Sequence, residues 1–222
     1  MMKQTKNKVL VSETLGSVST LTLSPPAADA VLVLGHGAGA GMTHPFMETL
    51  AQELAARSIA TVRYNFPYME NKKGRPDPPA IAHKTIAAVC GKAHNSFPEL
   101  PLFAGGKSFG GRMTSQYFSR ESPAWCRGIL FFGFPLHAIG SPSTERGSHL
   151  AAVKVPMLFL QGTRDKMADI TLLRQICASL PLATLTTFEG EDHSFHSGKK
   201  EVVGQLAEAA ALWLKKIVKG KS

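Results

Sequence analysis

The segment FAGGKSFGGRM, residues 103–113, contains two overlapping patterns that would support different chemistry. As the end of Gly-x-x-x-x-Gly-Lys-Ser, it would place a lysine and a serine against the phosphates of a nucleotide. As Gly-x-Ser-x-Gly, it makes Ser108 a nucleophile on a strained strand-to-helix turn. In the phosphate pattern Gly106 would be the second glycine, and Pro101 would stand where the first is required. The residues therefore favour the nucleophile.

Small residues flank Ser108 on both sides, as such a turn requires. Side chains two positions before and after the nucleophile would collide with neighbouring backbone, and Gly106 and Gly110 have none. The apolar residues 100–106 predict a strand before the turn, and residues 112–120 are compatible with a helix after it. The alternative interpretation is a tight glycine turn that carries an inert serine.

An acid and a histidine follow Ser108 along the chain, each just after a predicted strand. Asp165 follows the apolar run 155–162, and His193 follows the run 182–190. Because functional groups of parallel sheets gather at the carboxyl ends of the strands, we expect both side chains to meet Ser108 there. In this arrangement His193 is the base for the Ser108 hydroxyl, and Asp165 orients the imidazole ring.

Other carboxylates compete with Asp165 for this role. Asp192 is adjacent to His193 in sequence, which is a poor position for orienting its ring. Asp169 lies at or inside the next predicted helix, and Glu145 lies late in a loop. Asp165 could itself be only a helix cap after a turn, because aspartate favours that position. The position at a strand end favours Asp165.

His196 is the other candidate for the catalytic base. The alternative is that His196 lies beside the site or on the surface of the protein. A metal site built from His193, His196 and Asp192 would have loop spacing, with no matching carboxylate–histidine motif elsewhere in the sequence. A serine, a histidine and an aspartate need neither a metal nor an organic cofactor for acyl transfer. We therefore predict a site without cofactors.

A second glycine-rich segment, VLGHGAGAGMTHPF at residues 33–46, follows the third predicted strand. Glycines such as Gly37 let the backbone approach a reacting group closely, and backbone N–H groups there can stabilise a developing oxyanion. We expect the two donors to be the amides of Ala38 and Phe109, the latter directly after the nucleophile. The alternative is a turn that only connects a strand to a helix.

The elements that must position these residues alternate along the chain. Short apolar runs predict eight strands, at 9–13, 18–23, 30–35, 59–66, 100–106, 127–136, 155–162 and 182–190. Helical periodicity covers residues 45–57, 80–96, 112–120, 168–180 and 201–219. Strands that are apolar along their length and alternate with helices predict an α/β fold, with a mainly parallel sheet covered on both faces. We expect a single domain over 1–222.

Composition excludes several other classes of protein. The longest apolar run, ILFFGFPL, is too short to span a bilayer, and no apolar signal core follows the basic start of the chain. Three widely spaced cysteines indicate neither a disulfide framework nor a zinc site, which favours a reducing cytoplasm. The net charge of +9 comes from scattered residues, with the densest groups at the two ends. Charge alone therefore gives no specific nucleic-acid site.

The motifs HGAGAGMTHPFM, YNFPYME, GGKSFGGRM, GFPLH and QGTRD together resemble the α/β-hydrolase superfamily over almost the whole chain. The sequence is similar to the small lidless members of the superfamily near dienelactone hydrolase, and to a group of bacterial hydrolase-like proteins. The eukaryotic relatives of that group include testis-expressed hydrolase-like proteins and a subunit of a histone-acetyltransferase complex. The resemblance implies an α/β-hydrolase fold, with serine at 108, acid at 165 and base at 193. Dienelactone hydrolase itself has a cysteine nucleophile, whereas this chain has Ser108.

These features predict a serine hydrolase that cleaves a small carboxylic ester or thioester. About twenty residues separate the sixth and seventh predicted strands, which is too short for a cap domain, although the segment can line one wall of a pocket. Lys107, Arg112 and Arg164 lie beside catalytic positions and could favour acidic substrates, although we expect each to be a solvent-facing charge. One alternative function is a catalytically silent binding or scaffold protein with the same fold, which would have a protein partner. The other is different chemistry by the same three residues, such as peptide cleavage or acyl transfer to an acceptor other than water.

Overall fold

Eight strands form one sheet in the computed structural model, which describes residues 1–195 and 200–220. In chain order they are β1 (Lys3–Ser12), β2 (Gly16–Ser24), β3 (Ala30–Gly35), β4 (Ile59–Tyr64), β5 (Leu102–Lys107), β6 (Cys126–Phe132), β7 (Met157–Gly162) and β8 (Ala183–Phe188). Each corresponds to one of the predicted apolar runs.

The order of strands across the sheet is β1-β2-β4-β3-β5-β6-β7-β8. The six strands from β4 to the β8 edge pair in parallel, whereas β1 pairs with β2, and β2 with β4, in the antiparallel sense. The predicted α/β fold with a mainly parallel sheet is therefore confirmed. The six parallel strands end at one edge of the sheet, which we call the carboxyl edge.

Helices cover both faces of the sheet, as the sequence predicts. They are α1 (Pro45–Ala55), α2 (Pro67–Glu70), α3 (Pro79–Ser96), α4 (Phe109–Phe118), α5 (Ile170–Ser179) and α6 (Lys200–Val218), with a 3₁₀-helix at Glu145–Ala152. α1 packs with α6 on one face, and α3 packs with α4 on the other. None of the helices in the described ranges is long and apolar enough to cross a membrane.

The buried central strands divide their side chains between two cores. In β3, Val31 and Val33 belong to the core beneath α3 and α4, while Leu32 and Leu34 belong to the core beneath α1 and α6. This alternation follows from the two-residue period of a strand, and it explains why a strand buried on both faces is apolar along its whole length. The sheet at the site is consequently held rigidly from both sides.

The structure differs from the predicted elements at the edges of the sheet. β1 begins at Lys3 and is largely exposed, and in β8 Thr184 and Thr187 are exposed, so these two strands are not apolar along their length. Each has one neighbouring strand only, which leaves its other side open to water. β6 ends four residues before the predicted 136, because Gly133 takes φ 74° and turns the chain.

The segment between β6 and β7 forms no separate cap domain. It turns at Gly133, contains the 3₁₀-helix and returns to the sheet at Met157. Because the segment between β6 and β7 is short, it leaves the carboxyl edge of the sheet open.

Candidate active site

Ser108 occupies the turn between β5 and α4, with φ 49° and ψ −113°. A positive φ is uncommon for a residue with a side chain and costs on the order of 1–3 kcal/mol. A β-carbon at either Gly106 or Gly110 would lie 2.5 Å from backbone atoms of Gly35. Both positions therefore exclude a side chain, because β3 approaches the start of α4 here. At Gly37 a β-carbon would be 3.8 Å from that of Ser108, an ordinary van der Waals contact, so this position has room for a side-chain atom.

The three predicted catalytic side chains form one hydrogen-bonded chain. His193 Nε2 lies 2.7 Å from Ser108 Oγ, and His193 Nδ1 lies 2.6 Å from Asp165 Oδ2. The ionised carboxylate can only accept a hydrogen bond, so Nδ1 carries the proton and Nε2 faces the serine hydroxyl as an acceptor. This is the tautomer that a general base for Ser108 needs.

Asp165 is buried and accepts hydrogen bonds from three donors. Besides His193, the side chain of Gln161 donates to Oδ2 at 2.5 Å, and the backbone N–H of Met167 donates to Oδ1 at 2.7 Å. The other end of the Gln161 amide accepts from the Phe134 N–H at 2.8 Å, which fixes its orientation. Sequence reasoning missed Gln161, although a polar residue inside the apolar strand MLFLQG signals a buried hydrogen-bonded group.

The competing carboxylates have other contacts. Asp169 directly precedes α5 and caps it by accepting from the N–H groups of two residues in the first turn of the helix. Asp192 accepts from the N–H and hydroxyl of Ser194 in the same loop. Glu145 is exposed at the start of the 3₁₀-helix. His196, the rival base, and the metal site that would include it lie outside the described residues.

Lys107, next to the nucleophile, is not a solvent-facing charge, and that expectation is wrong. Its ammonium group donates to the backbone carbonyl of His193 at 2.5 Å and lies over the rings of Phe46 and Phe195, at 5.8 and 5.3 Å from their centroids. Burial lowers the pKa of Lys107 to about 8, against the opposing effect of nearby Asp165. The lysine therefore ties the loop that carries the candidate base to the strand that carries the nucleophile.

A buried histidine holds the loop after β3 in place. The Phe66 N–H donates to Nε2 of His36 at 3.1 Å, so the proton is on Nδ1, which donates to the Gly37 carbonyl at 2.8 Å. The Tyr68 hydroxyl donates to the same carbonyl at 3.4 Å and accepts from the Gly39 N–H at 3.2 Å. Burial lowers the pKa of His36 to about 4, which keeps the ring neutral. His36 is not among the site residues predicted from the sequence.

The predicted oxyanion donors are the amides of Ala38, in the loop after β3, and of Phe109, directly after Ser108. Both residues line a cleft together with Ser108. Within residues 1–195 and 200–220, neither amide donates to a backbone carbonyl or to a side chain. Phe109 is the first residue of α4, where N–H groups have no partner inside the helix. Both N–H groups are therefore available to an acceptor oxygen from a ligand.

A second serine–histidine contact lies in the next turns of α4. Ser115 Oγ is 2.7 Å from His149 Nε2 and 2.9 Å from the Arg112 carbonyl. Ser115 is fully buried, and the described residues place no carboxylate against the other nitrogen of His149. Burial lowers the pKa of His149 to about 4. This pair links α4 to the 3₁₀-helix and lacks access to a substrate.

Two clefts meet at Ser108. The first, which we call the apolar cleft, has a volume of about 520 Å³ and is lined by Pro45, Phe46, Met47, Lys107 and His193, among others. The second, which we call the arginine cleft, has a volume of about 350 Å³ and is lined by Asp77, Arg112, Met113, Pro135 and Arg146, among others. Both volumes lie in or near the range of small-molecule sites, roughly 300–1,000 Å³. As predicted, the segment after β6 supplies part of one wall.

A family model described as an alpha/beta hydrolase domain matches residues 28–217. That match covers most of the 222 residues, so the chain belongs to the alpha/beta hydrolase family. The resemblance inferred from the motifs is confirmed at this level.

Several solved structures share this fold. A dienelactone hydrolase from Anabaena variabilis superposes with a TM-score of 0.77 at 16% identity, over 96% of this chain and 97% of that one. A serine hydrolase without a lid from Xanthomonas campestris superposes with a TM-score of 0.75 at 19% identity, over 95% of both chains. A serine hydrolase homologue from Coxiella burnetii superposes with a TM-score of 0.74 at 18% identity, over 97% of both chains. At these identities the likeness concerns the fold.

Proposed function

We propose that this protein is a serine hydrolase that cleaves a small carboxylic ester or thioester. The observation that carries the proposal is the hydrogen-bonded chain Ser108–His193–Asp165, with its two contacts of 2.7 and 2.6 Å, at the carboxyl edge of the sheet. The names of structural neighbours, which include a dienelactone hydrolase, a lidless serine hydrolase and a cold-adapted esterase, agree with this class of reaction.

In the proposed reaction Ser108 Oγ attacks the substrate carbonyl carbon while its proton moves to His193 Nε2. The carbonyl oxygen becomes an oxyanion, which accepts hydrogen bonds from the amides of Ala38 and Phe109. Asp165 stabilises the imidazolium that has formed. The carbon–heteroatom bond then breaks, and His193 gives its proton to the departing alcohol or thiol.

The second half of the reaction regenerates the enzyme. A water molecule gives one proton to His193 Nε2 as its oxygen attacks the acyl carbon. The second tetrahedral intermediate collapses, the bond to Ser108 breaks, and the proton returns to Oγ. The products are a carboxylic acid and the free serine. Lys107 and Gln161 take no part in bond making; they hold the loop of the base and the carboxylate in position.

The test is a panel of short-chain 4-nitrophenyl esters and S-acyl thioesters with two serine variants. Ser108→Ala should lose at least about 10⁴-fold in kcat/KM, because nucleophile and base act as a unit. Ser115→Ala is the matched control, since that serine also contacts a histidine but is buried away from both clefts. It should keep activity within about threefold. Folded wild-type protein that hydrolyses no member of the panel would favour the silent binding protein instead.

A further inference from the structure

The arginine cleft has an arrangement of charge that the proposed reaction does not use. Two guanidinium groups, Arg112 and Arg146, line it next to Ser108, together with one carboxylate, Asp77. Both arginines are half-buried. The pKa of Arg112 is lowered, first by its burial and then by the positive charge of Arg146. Two like charges thus face one cleft beside the nucleophile.

Neither arginine has an acidic partner in the described ranges of the chain. The ion pairs there involve Arg57, Lys215 and His193, and none involves Arg112 or Arg146. Partly buried arginines are usually paired, because the uncompensated charge is costly. An anionic ligand between the two guanidinium groups would remove that cost and could accept bidentate hydrogen bonds.

The backbone fixes both arginines relative to the reacting centre. Arg112 lies one helical turn after Ser108, and its N–H donates to the Ser108 carbonyl at 3.0 Å. Arg146 belongs to the 3₁₀-helix, and its Nη1 donates to the His137 carbonyl at 3.0 Å. That bond uses one of the five donors of Arg146, so the others remain for a ligand. The two arginines therefore come from separate elements and converge on one cleft.

The charge of the whole lining favours a singly charged group. The Asp77 carboxylate accepts from the Tyr68 N–H at 2.9 Å, which holds it to α2, and burial raises its pKa. Two arginines and one aspartate leave a net charge of about +1, which a carboxylate balances and a doubly charged phosphate exceeds. The cleft volume of about 350 Å³ lies at the lower end of the range of small-molecule sites, which suits a short acyl group.

The position of His193 decides which part of the substrate enters this cleft. His193 lines the apolar cleft with Phe46 and Met47, and it is absent from the lining of the arginine cleft. Because His193 must protonate the leaving group, that group lies on the apolar side. The acyl group then extends to the other side of Ser108, towards Arg112 and Arg146.

We propose that the arginine cleft binds a terminal carboxylate on the acyl group, so that the preferred substrates are monoesters or monothioesters of short dicarboxylic acids with an apolar leaving group. This inference rests on the proposed function and specifies its substrate class. Arg112 and Arg146 are then residues that determine specificity.

Three benzyl-type esters test the inference in the wild-type enzyme by the release of the alcohol. Monobenzyl glutarate carries the carboxylate on the acyl side, and benzyl valerate is its neutral counterpart. The valerate ester of 4-(hydroxymethyl)benzoate carries the carboxylate on the leaving group. We expect kcat/KM for monobenzyl glutarate to exceed that for benzyl valerate at least tenfold, mainly through KM. The reversed ester should show no such gain, and 0.5 M salt should reduce the preference.

Variants of the two arginines then locate the effect. Arg112→Met and Arg146→Met should each lower the glutarate-to-valerate ratio about tenfold, whereas Arg112→Lys should retain part of the preference. Arg174→Met is the matched control, because Arg174 is exposed on α5 away from both clefts, and it should leave the ratio unchanged.

The outcomes separate the two proposals. Hydrolysis of benzyl valerate without preference for monobenzyl glutarate, or a preference for the reversed ester, overturns the carboxylate site and leaves the hydrolase intact. Failure to hydrolyse any of the three esters, together with failure of Ser108 to react with a fluorophosphonate, overturns both. A preference for monobenzyl glutarate that survives both methionine variants also overturns the assignment to these arginines.

Discussion

Replacing Asp165 by asparagine exchanges a carboxylate that accepts three hydrogen bonds for an amide that cannot accept all of them. If the amide carbonyl faces Gln161 and His193, its NH₂ group opposes the Met167 N–H. If the asparagine amide is turned the other way, its NH₂ group faces the side chain of Gln161, whose orientation is fixed by the Phe134 N–H. The same NH₂ group then also faces His193, which must move its proton to Nε2. The variant therefore loses either a buried hydrogen bond or the tautomer of the base.

The negative charge is lost in both orientations. At 2.6 Å and an effective dielectric constant of about 20, the Asp165 carboxylate stabilises a protonated His193 by about 6 kcal/mol. Each factor of ten in rate corresponds to about 1.4 kcal/mol, so kcat/KM should fall about 10⁴- to 10⁵-fold. The same substitution in a serine protease costs about 10⁴-fold. The assay is hydrolysis of 4-nitrophenyl butyrate, with thermal unfolding as a check that the variant is folded.

Asp169→Asn is the matched control for this experiment. Asparagine caps a helix about as well as aspartate, and Asp169 has no contact with His193, so activity should stay within about twofold. A folded Asp165→Asn enzyme with more than a tenth of the wild-type activity would refute the reasoning. The assignment would also be wrong if Asp192→Asn were the substitution that abolishes activity.

Two further predictions concern buried titratable groups near the site. The pKa of His36 is about 4 in the folded protein and ordinarily 6.5, so the unfolded chain binds more protons between these two pH values. Acidification from neutral pH to pH 4 should therefore lower the free energy of unfolding by about 3 kcal/mol. His36→Gln should lose this part of the acid sensitivity in urea titrations, while His149 still contributes in the same window. The pKa of Lys107 is about 8 instead of 10.5, so its charged form is disfavoured in the folded state, and stability should gain from rising pH between these values. Lys107→Met should abolish that gain. It should also lower kcat about tenfold, because the loop that carries His193 loses its hydrogen bond to the Lys107 side chain. A variant with wild-type kcat would contradict the positioning role of Lys107.

The sequence was sufficient for the main elements and for the three residues at strand ends. Central strands such as β3 and β7 are buried on both faces, so their apolar runs are unambiguous. Ser108 and Asp165 follow such runs and His193 follows the edge strand β8, and the three could be predicted to meet because parallel strands end at one edge. At the edges of the sheet the same rule fails, since β1 and β8 are partly exposed and mix polar with apolar residues.

The supporting contacts could not be predicted in the same way. Lys107 has its partner 86 residues away in His193, and the rings that enclose its ammonium group come from the loops and helices on one face of the sheet. Gln161 and His36 bind groups that only the folded chain brings near them. A single sequence shows which residues could do chemistry, whereas the burial of their neighbours depends on how distant segments pack.

The central claim is that Ser108 is an activated nucleophile beside a functional oxyanion site, and labelling with a fluorophosphonate tests it most directly. The reaction requires a serine deprotonated by its base, and the phosphoryl oxygen of the probe occupies the position of the oxyanion. We expect stoichiometric modification at Ser108 by intact mass and peptide mapping, no modification of Ser108→Ala, and strongly slowed modification of His193→Ala. A folded wild-type protein that stays unlabelled under conditions where a known serine esterase reacts would contradict the account and favour the silent binding protein.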